Sequence, residues 1–259
     1  TGSPGMAGAA FLSACAAYTV GAGLVQIYTA SENRLALQEL LPEAIISCYD
    51  SYDDSQLSHL LDWADVVCIG CGLGMGQISE KILKNVLKNV SCPCVIDADG
   101  LNLLSRNIEL LNQCCAPVIL TPHMKEMSRL TGWSIDTIME DRFQALDQII
   151  KQSGPDTKSS IICVLKDSRT VVAQTNRQRF VNLAGNNSMA KGGSGDVLAG
   201  TIAGLLAQHM APFEATTVGV FLHACGGDEA KKSKGSYSVL ARDLIQGMAD
   251  AMKNAKECR

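Results

Sequence analysis

Residues 186–208 read NNSMAKGGSGDVLAGTIAGLLAQ: a glycine-rich loop, one acid and a long apolar stretch in succession. Gly192, Gly193 and Gly195 let the backbone turn tightly and approach a ligand closely, because no Cβ intervenes. Asp196 follows at once, where a periodic apolar pattern begins. Val197, Leu198, Ile202, Leu205 and Leu206 recur roughly three and four apart, as on one buried helical face. Ala199, Gly200, Ala203 and Gly204 are small enough for a neighbour to pack closely. The stretch predicts a helix whose free first-turn N–H groups and dipole face an anion. Asp196 has two readings there. It is a good N-cap, and an acid beside a phosphate-accepting loop can also take the proton from a hydroxyl being phosphorylated. A glycine-rich loop alone does not choose between them.

Before this stretch the chain alternates strands and helices. An apolar run at residues 65–69 stops at Gly70-Cys71-Gly72-Leu73-Gly74, and a helix follows to about residue 90. Strand, glycine loop and helix together present backbone N–H groups at the carboxyl end of a parallel strand. The loop is not a dinucleotide fingerprint, because the acid expected about twenty residues on is replaced by Asp97 and Asp99 at the end of the next strand, residues 93–96. With Asn102 these acids can organise a magnesium ion or substrate hydroxyls, or simply form a turn and a helix cap. A strand at 117–120 ends in Thr121-Pro122-His123. His123 lands where a helix carrying Lys125, Glu126 and Leu130 begins, a place where a lone histidine is more often a cap or surface residue than a ligand.

Residues 136–153 read as one amphipathic helix with Ile138, Phe143, Leu146, Ile149 and Ile150 inward, and 154–158 as a loop. A strand at 160–165 ends at Lys166. Residues 167–169 turn into strand 170–174, and 178–183 is a further short strand. Strands at this density after strand–helix units predict a sheet that changes from parallel to antiparallel at one edge. Nearer the start, a helix at 9–20 is broken by Gly21-Ala22-Gly23. Strands at 24–28 and 44–47 then alternate with helices at 32–40 and 57–63, with a polar loop at 50–55. Helices at 213–232 and 241–255 close the chain. There is no repeat, low-complexity region or linker. The expectation is a single α/β domain over 1–259, its mostly parallel sheet covered by helices on both faces and its site along one rim. The opening Gly/Ser/Pro segment leads us to expect a strand or a whole domain upstream.

Composition narrows the class. Hydrophobic residues make up 47% and charged residues 19% of 259, which describes a globular chain. A net charge of −4 supplies no overall attraction to nucleic acid or to a membrane. No apolar run is long enough to span a bilayer and no secretory pattern opens the sequence. Of 11 cysteines, Cys15, Cys48, Cys68, Cys94, Cys163 and Cys225 sit in apolar surroundings as small core residues. Cys68 and Cys71 form a lone CxxC with no second pair at zinc spacing, and Cys92/Cys94 and Cys114/Cys115 do not suggest a disulfide framework. These features lead us to expect a reduced, cytoplasmic enzyme.

Taken together, GAGLV at Gly21, IGCGLG at Ile69, VIDADGLNLL at Val95, LTPHMKEMSRLTG at Leu120, VLKDSRTVV at Val164 and NNSMAKGGSGDVLAG at Asn186 resemble the ribokinase-like superfamily. Within it they look like the NAD(P)H-hydrate dehydratases, the carboxy-terminal half of many bacterial bifunctional repair enzymes. The motifs come in the family's order and cover nearly all of the chain. Three positions depart from the pattern. Cys71 stands where proline is typical, Asp167 where glycine follows the lysine, and Asn187-Ser188 replaces Asn-Pro-Gly. The family's first strand would lie before Thr1.

The resemblance implies a three-layer α/β/α sandwich with an antiparallel sheet edge. It also implies ADP- or ATP-dependent dehydration of hydrated NADH or NADPH, with Mg2+ bridging the nucleotide phosphates. Asp196 would accept the hydroxyl proton. Lys166, Asp167, Ser168, Arg169, Thr170, Gly192, Gly193, Ser194 and Gly195 would hold the nucleotide. Ala22, Gly74, His123 and Asp196 would hold the hydrated cofactor, with Asp99 and Asn102 beside them. Residues around Met189-Ala190 resemble the bacterial, ADP-preferring form. A homo-oligomer formed through the small-residue helices, and an epimerase fused to or paired with the chain, are further expectations. Two rivals stand beside this reading: a small-molecule kinase of the same superfamily, and a non-catalytic nucleotide-binding domain.

Overall fold

The computed structural model describes residues 1–152, 160–175 and 178–257; the loop predicted at 154–158 lies outside them. In chain order the elements are α1 (Ala7–Thr19), β1 (Gln26–Ala30), α2 (Arg34–Leu40), β2 (Ile45–Tyr49), α3 (Asp54–Trp63), β3 (Val67–Ile69), α4 (Gln77–Asn89), β4 (Cys94–Ile96) and α5 (Ala98–Leu104). They continue with β5 (Val118–Leu120), α6 (Met124–Thr131), α7 (Ile135–Glu140), α8 (Arg142–Gln152), β6 (Ile161–Leu165), β7 (Val171–Gln174), β8 (Arg179–Val181), α9 (Ser194–Leu206), α10 (Pro212–Ser238) and α11 (Ala241–Glu257).

The central sheet has six strands in the order β3-β4-β5-β6-β7-β8. Strands β3 to β6 are parallel, and β7 and β8 run antiparallel, which is the edge that the strand density predicts. Alternate residues face opposite layers. Ile96, Leu120, Cys163 and Leu165 pack with Leu83, Leu104, Met127 and Leu146 of the helices on one face. Val95, Ile119, Ile162 and Val164 pack with Leu198, Ala199 and Ile202 of α9 on the other. Both faces are therefore dry, which is why these strands read as unbroken apolar runs.

Strands β1 and β2 pair in parallel as a separate two-stranded sheet. Between β1 and β3 lies a cavity of 570 Å³, walled by small residues of α1 and α9 and by Leu57, Leu61 and Ile82. Gly2 and Ser3 tie the two sheets together beside it. Gly2 N and Ser3 N donate to Cys71 O and Gly72 O, and Gly2 O accepts from Ala30 N.

The expected helix at 136–153 is two helices. Asp141 adopts extended backbone between them, and its carboxylate caps α8 by accepting from Gln144 N at 2.9 Å. A local cap thus overrides a continuous apolar period. The helix expected at 213–232 runs further, to Ser238, and bends at Gly235, whose φ is +73°.

Helices α1 and α9 lie side by side in the same direction, with Gly200 over Ser13 and Gly204 over Ala17. A Cβ at Gly200 would meet Ser13 O at 2.0 Å. The small residues expected to form an interface between copies are therefore spent on this contact, and every residue of α9 from Val197 to Leu206 is buried. The backbones are too close for a methyl group to be absorbed by a rotamer change. Gly200→Ala should lower unfolding stability by roughly 1–3 kcal/mol, the usual cost of overpacking, as measured by chemical denaturation. Wild-type stability in this variant would show that the helices can separate.

Candidate active site

The carboxyl ends of β3, β4, β5 and β6 form one rim. Gly70 turns out of β3 with φ +115°, and a Cβ there would lie 1.8 Å from Asp97 O, so the ends of β3 and β4 interlock only with glycine at this position. Ala98 takes a left-handed φ of +48°, a strained turn that separates its two acidic neighbours. Asp97 reaches Lys166 at the end of β6, with Nζ 2.5 Å from Oδ1. Asp99 turns to the glycine loop and accepts from Gly74 N at 2.8 Å.

Above this pair stands the start of α9. Gly195 has no room for a side chain: a Cβ would lie 3.1 Å from Lys166 Nζ and 3.2 Å from Asp97 Oδ2. Asp196 follows in the first turn without capping the helix, since the N-cap is Gly193 and no side-chain cap bond forms. Of the two readings of Asp196, the structure rejects the N-cap. Its carboxylate, a carboxylate oxygen of Asp97 and the Cys71 thiol lie within 4.8 Å of one another.

This packing sets the charges. Burial, and then repulsion from Asp97, push Asp196 up to about 6 against the opposing influence of the Cys71 thiol and Lys166. Glu126 lies beneath the pair, with Lys166 Nζ 4.0 Å from its Oε2. Burial pushes Glu126 up to about 7, more than the attraction of Lys166 pulls it down. Burial by itself would lower Lys166, but Asp97 and Glu126 outweigh it and hold the ammonium above its usual range. Lys166 is therefore a permanent cation under the start of α9.

His123 caps α6 in a capping box: its Nδ1 accepts from Lys125 N and Glu126 N, and Glu126 Oε2 accepts from His123 N at 2.8 Å. Burial, then Lys166, lower its pKa, so it is neutral at pH 7, and its Nε2 lies 3.4 Å from Glu126 Oε1. Asn102 accepts from Arg129 at 2.7 Å, one turn beyond Asp99. Asp167, in place of the family's glycine, pairs with Arg142 at 2.7 Å. Ser168 and Arg169 are exposed, and the Thr170 hydroxyl donates to Asp167 O at 3.3 Å. Gly192 is exposed, while Ser194 N already donates to Lys191 O. Ser194 therefore withdraws its amide from the anion-facing set expected at Gly192–Gly195.

Ala22 does not join the cluster. Its N–H closes the end of α1 on Ala17 O, and its neighbour Gly21 abuts Gln208. That is the opposite end of α9 from Asp196, about 18 Å away at 1.5 Å per residue. The reason is the parallel packing of α1 on α9, which sends the 21–23 loop to the other rim. What adjoins the glycine loop instead is the segment before and at the start of α1, with Ser3 against Gly74 and Met6 and Ala9 against Gly72.

Residue-by-residue reading missed two supports. His223, from the middle of α10, is buried, is held neutral by burial with a pKa of about 4, and sits 3.3 Å from the Ser194 hydroxyl. Asp228, one turn further on, accepts from Gly185 N and Asn186 Nδ2 and so anchors the loop that leads to α9. A lone histidine and one acid of an Asp228-Glu229 pair are the only signals in the sequence. Of the six cysteines expected in the core, Cys94 and Cys163 are fully buried and burial raises both thiols, whereas Cys15, Cys48, Cys68 and Cys225 are only partly buried.

A parallel sheet with an antiparallel edge, a helix N-terminus over a buried lysine, and an acid in that helix's first turn define the ribokinase-like class of phosphotransfer folds. The chain shares this architecture with a ribokinase-like superfamily protein from Enterococcus faecalis at TM-score 0.81 and 33% identity, covering 98% of this chain and 84% of that one. The family model described as NAD(P)H-hydrate dehydratase matches residues 1–249, and the chain belongs to that family. It is 35% identical to the bifunctional NAD(P)H-hydrate repair enzyme of Moorella thermoacetica over 99% of this chain and 49% of that protein. It is 36% identical to the ADP-dependent (S)-NAD(P)H-hydrate dehydratase of Neisseria meningitidis over 98% and 83%. The ADP/ATP-dependent NAD(P)H-hydrate dehydratase of Bacillus subtilis, co-crystallised with ATP and Mg2+, superposes at TM-score 0.78 with 27% identity, covering 98% of this chain and 87% of that one. The chain spans about half the length of the bifunctional relatives. No helix among the described residues is long and apolar enough to cross a membrane.

The elevated Asp196 pKa has a consequence for stability. Between about 3.8 and about 6 the folded protein keeps a proton that the unfolded chain releases. Stability therefore falls as pH rises through that window, and the loss persists above it. Asp196→Asn carries no such charge. It should melt roughly 2–4 °C above wild type at pH 8, the size of about 1 kcal/mol in a chain of this length, and the gap should close by pH 4. A variant less stable than wild type at pH 8 would contradict the repulsion between Asp196 and Asp97.

Proposed function

We propose that this chain catalyses the ADP- or ATP-dependent dehydration of the S epimer of hydrated NADH or NADPH, returning the reduced dinucleotide. The observation that carries the reading is the Asp196 carboxylate. It is half-buried in the first turn of α9, beside Asp97 and over Lys166, with a pKa of about 6. Such a group is ionised at pH 7 yet basic enough to accept a proton from a hydroxyl in the transition state.

The ring hydroxyl oxygen attacks the terminal phosphorus as Asp196 takes its proton. The N–H groups at Gly192, Gly193 and Gly195 and the Lys166 ammonium face the charge that develops on the transferred phosphoryl group. The ring C–O bond then breaks with its electron pair leaving on phosphate. Loss of a proton from the neighbouring ring carbon restores the double bond. Residues 166–170 flank the nucleotide, and Gly74, Asp99, Asn102 and His123 flank the hydrated ring.

The protein's own groups do not fit a resident magnesium ion. Among the described residues the one cluster of possible ligands includes the Cys71 thiol, and Lys166 already occupies Asp97. Magnesium demands oxygen ligands in a near-octahedral set. Mg2+ therefore enters with the nucleotide phosphates and not through a cage in the chain. The Bacillus subtilis relative co-crystallised with ATP and Mg2+ supports this reading. The bifunctional relatives support an epimerase acting alongside this chain.

Mixing the protein with hydrated NADH, Mg2+ and either ADP or ATP should raise absorbance in the reduced-nicotinamide band, and the two nucleotides are compared directly. Asp196→Asn should lower kcat by about 10²–10⁴-fold, the usual contribution of a positioned base, while calorimetry still detects nucleotide binding. The wild-type kcat/KM should rise with pH through about 6, because the base must lose its proton. Wild-type turnover by the variant would remove Asp196 as the base. A folded wild-type protein that consumes nucleotide with small alcohols but leaves the hydrate untouched would make the chain a small-molecule kinase.

A further inference from the structure

A cavity of 400 Å³ opens at the carboxyl ends of β1 and β2, within the roughly 300–1,000 Å³ typical of ligand sites. Its walls include Ser3, Ser31, Glu32, Asp50, Gly74 and Ser79. Because Ala30 and Tyr49 are register partners in a parallel pair, the residues that follow them leave the sheet side by side. This is the same rim that carries Asp97 and Lys166.

The cavity adjoins the catalytic rim at the glycine loop that follows β3. Gly74 lines it, and the Gly74 amide donates to Asp99 at 2.8 Å. The catalytic cluster thus lies between this cavity and the Lys166–Thr170 turn at the far side of the rim. A dinucleotide whose damaged ring sits at Asp196 extends into the cavity, while the phosphoryl donor lies toward β6. The cavity is also built for the remainder of a dinucleotide. Backbone at Gly76 and the first turn of α4 forms one wall, and no side chain caps that helix start, so its N–H groups suit a pyrophosphate.

The charge of the cavity is one-sided. No lysine or arginine lines it. Glu32 and Asp50 are exposed, and neither makes an ion pair or a side-chain hydrogen bond among the described residues. Lys81, a basic residue early in α4, lies over the Tyr52 ring at 5.7 Å. An acid just beyond a strand end accepts hydrogen bonds from the 2′- and 3′-hydroxyls of a ribose, whereas a 2′-phosphate needs a cation there.

We propose that this cavity receives the adenosine end of the hydrated dinucleotide, and that Glu32 and Asp50 select a free 2′-hydroxyl, making hydrated NADH a better substrate than hydrated NADPH. The proposal rests on the reading of Asp196 as the base acting on a hydrated nicotinamide. Glu32 and Asp50 are specificity residues remote from the bond that breaks, so their effect falls on KM.

Initial rates with the two hydrates at saturating nucleotide test it. Wild type should favour hydrated NADH by about tenfold in kcat/KM, a discrimination of about 1.4 kcal/mol. The double variant Glu32→Lys with Asp50→Lys should bring the ratio to one or below by lowering KM for hydrated NADPH. Equal use of both hydrates by wild type, a preference for hydrated NADPH, or an unchanged ratio in the variant would overturn the assignment. Calorimetry with ADP-ribose and its 2′-phosphate separates this from a failure of the catalytic reading. Tighter binding of ADP-ribose by wild type, abolished in the variant, supports the cavity even on protein that turns over neither hydrate. Equal binding of the two by wild type rejects it.

Discussion

The buried pair of Lys166 and Asp97 is the constraint around which the rim is assembled. It joins the ends of β4 and β6 across β5, and α9 begins directly above it. A charge so placed tolerates no gap in its surroundings, because an unpaired ion in that position would cost several kcal/mol. Gly195 lacks a side chain because the ammonium and the carboxylate already fill that space. Glu126 sits below the same ammonium, and its other task, closing the capping box with His123, fixes the start of α6. One cation therefore orders the ends of three strands and the beginnings of two helices.

The electrostatic state of Asp196 follows from that arrangement. It shares its surroundings with Asp97, and Lys166 bonds Asp97 in preference to Asp196. Asp196 therefore keeps an elevated pKa, the condition that suits a base near neutrality. The Cys71 thiol takes part of the burden. A proline at that position, usual in the family, could not donate to the carboxylate. The Asp167–Arg142 pair shows a similar accommodation, as the carboxylate that replaces the family's glycine is neutralised by a neighbouring helix.

Packing between α1 and α9 is the second constraint. Small residues at Ser13, Ala17, Gly200 and Gly204 bring the two backbones into contact. That contact fixes the direction of α1. It puts residues 2–9 against the glycine loop at the active rim and carries Ala22 to the other end. A motif position that reads naturally as part of a glycine-lined site is thereby excluded from it.

Much of this was legible in the residues alone. Unbroken apolar runs after glycine-rich turns reveal a doubly covered parallel sheet, since only strands buried on both faces lose their alternation. The succession Gly192 to Asp196 marks a helix start, because the glycines make the turn and the apolar period begins directly after the acid. Other features depend on partners distant in sequence. No spacing rule connects Lys166 with Asp97, Ser194 with His223, or Asn186 with Asp228, and the loss of Ala22 from the site depends on how two helices align. The break at Asp141 shows the same limit locally, where a cap outweighed a periodic pattern. Periodicity and turn chemistry are local properties and can be read along a chain. Which rim a loop reaches, and what pKa an acid takes there, are set by three-dimensional packing, since both depend on groups that only folding brings together.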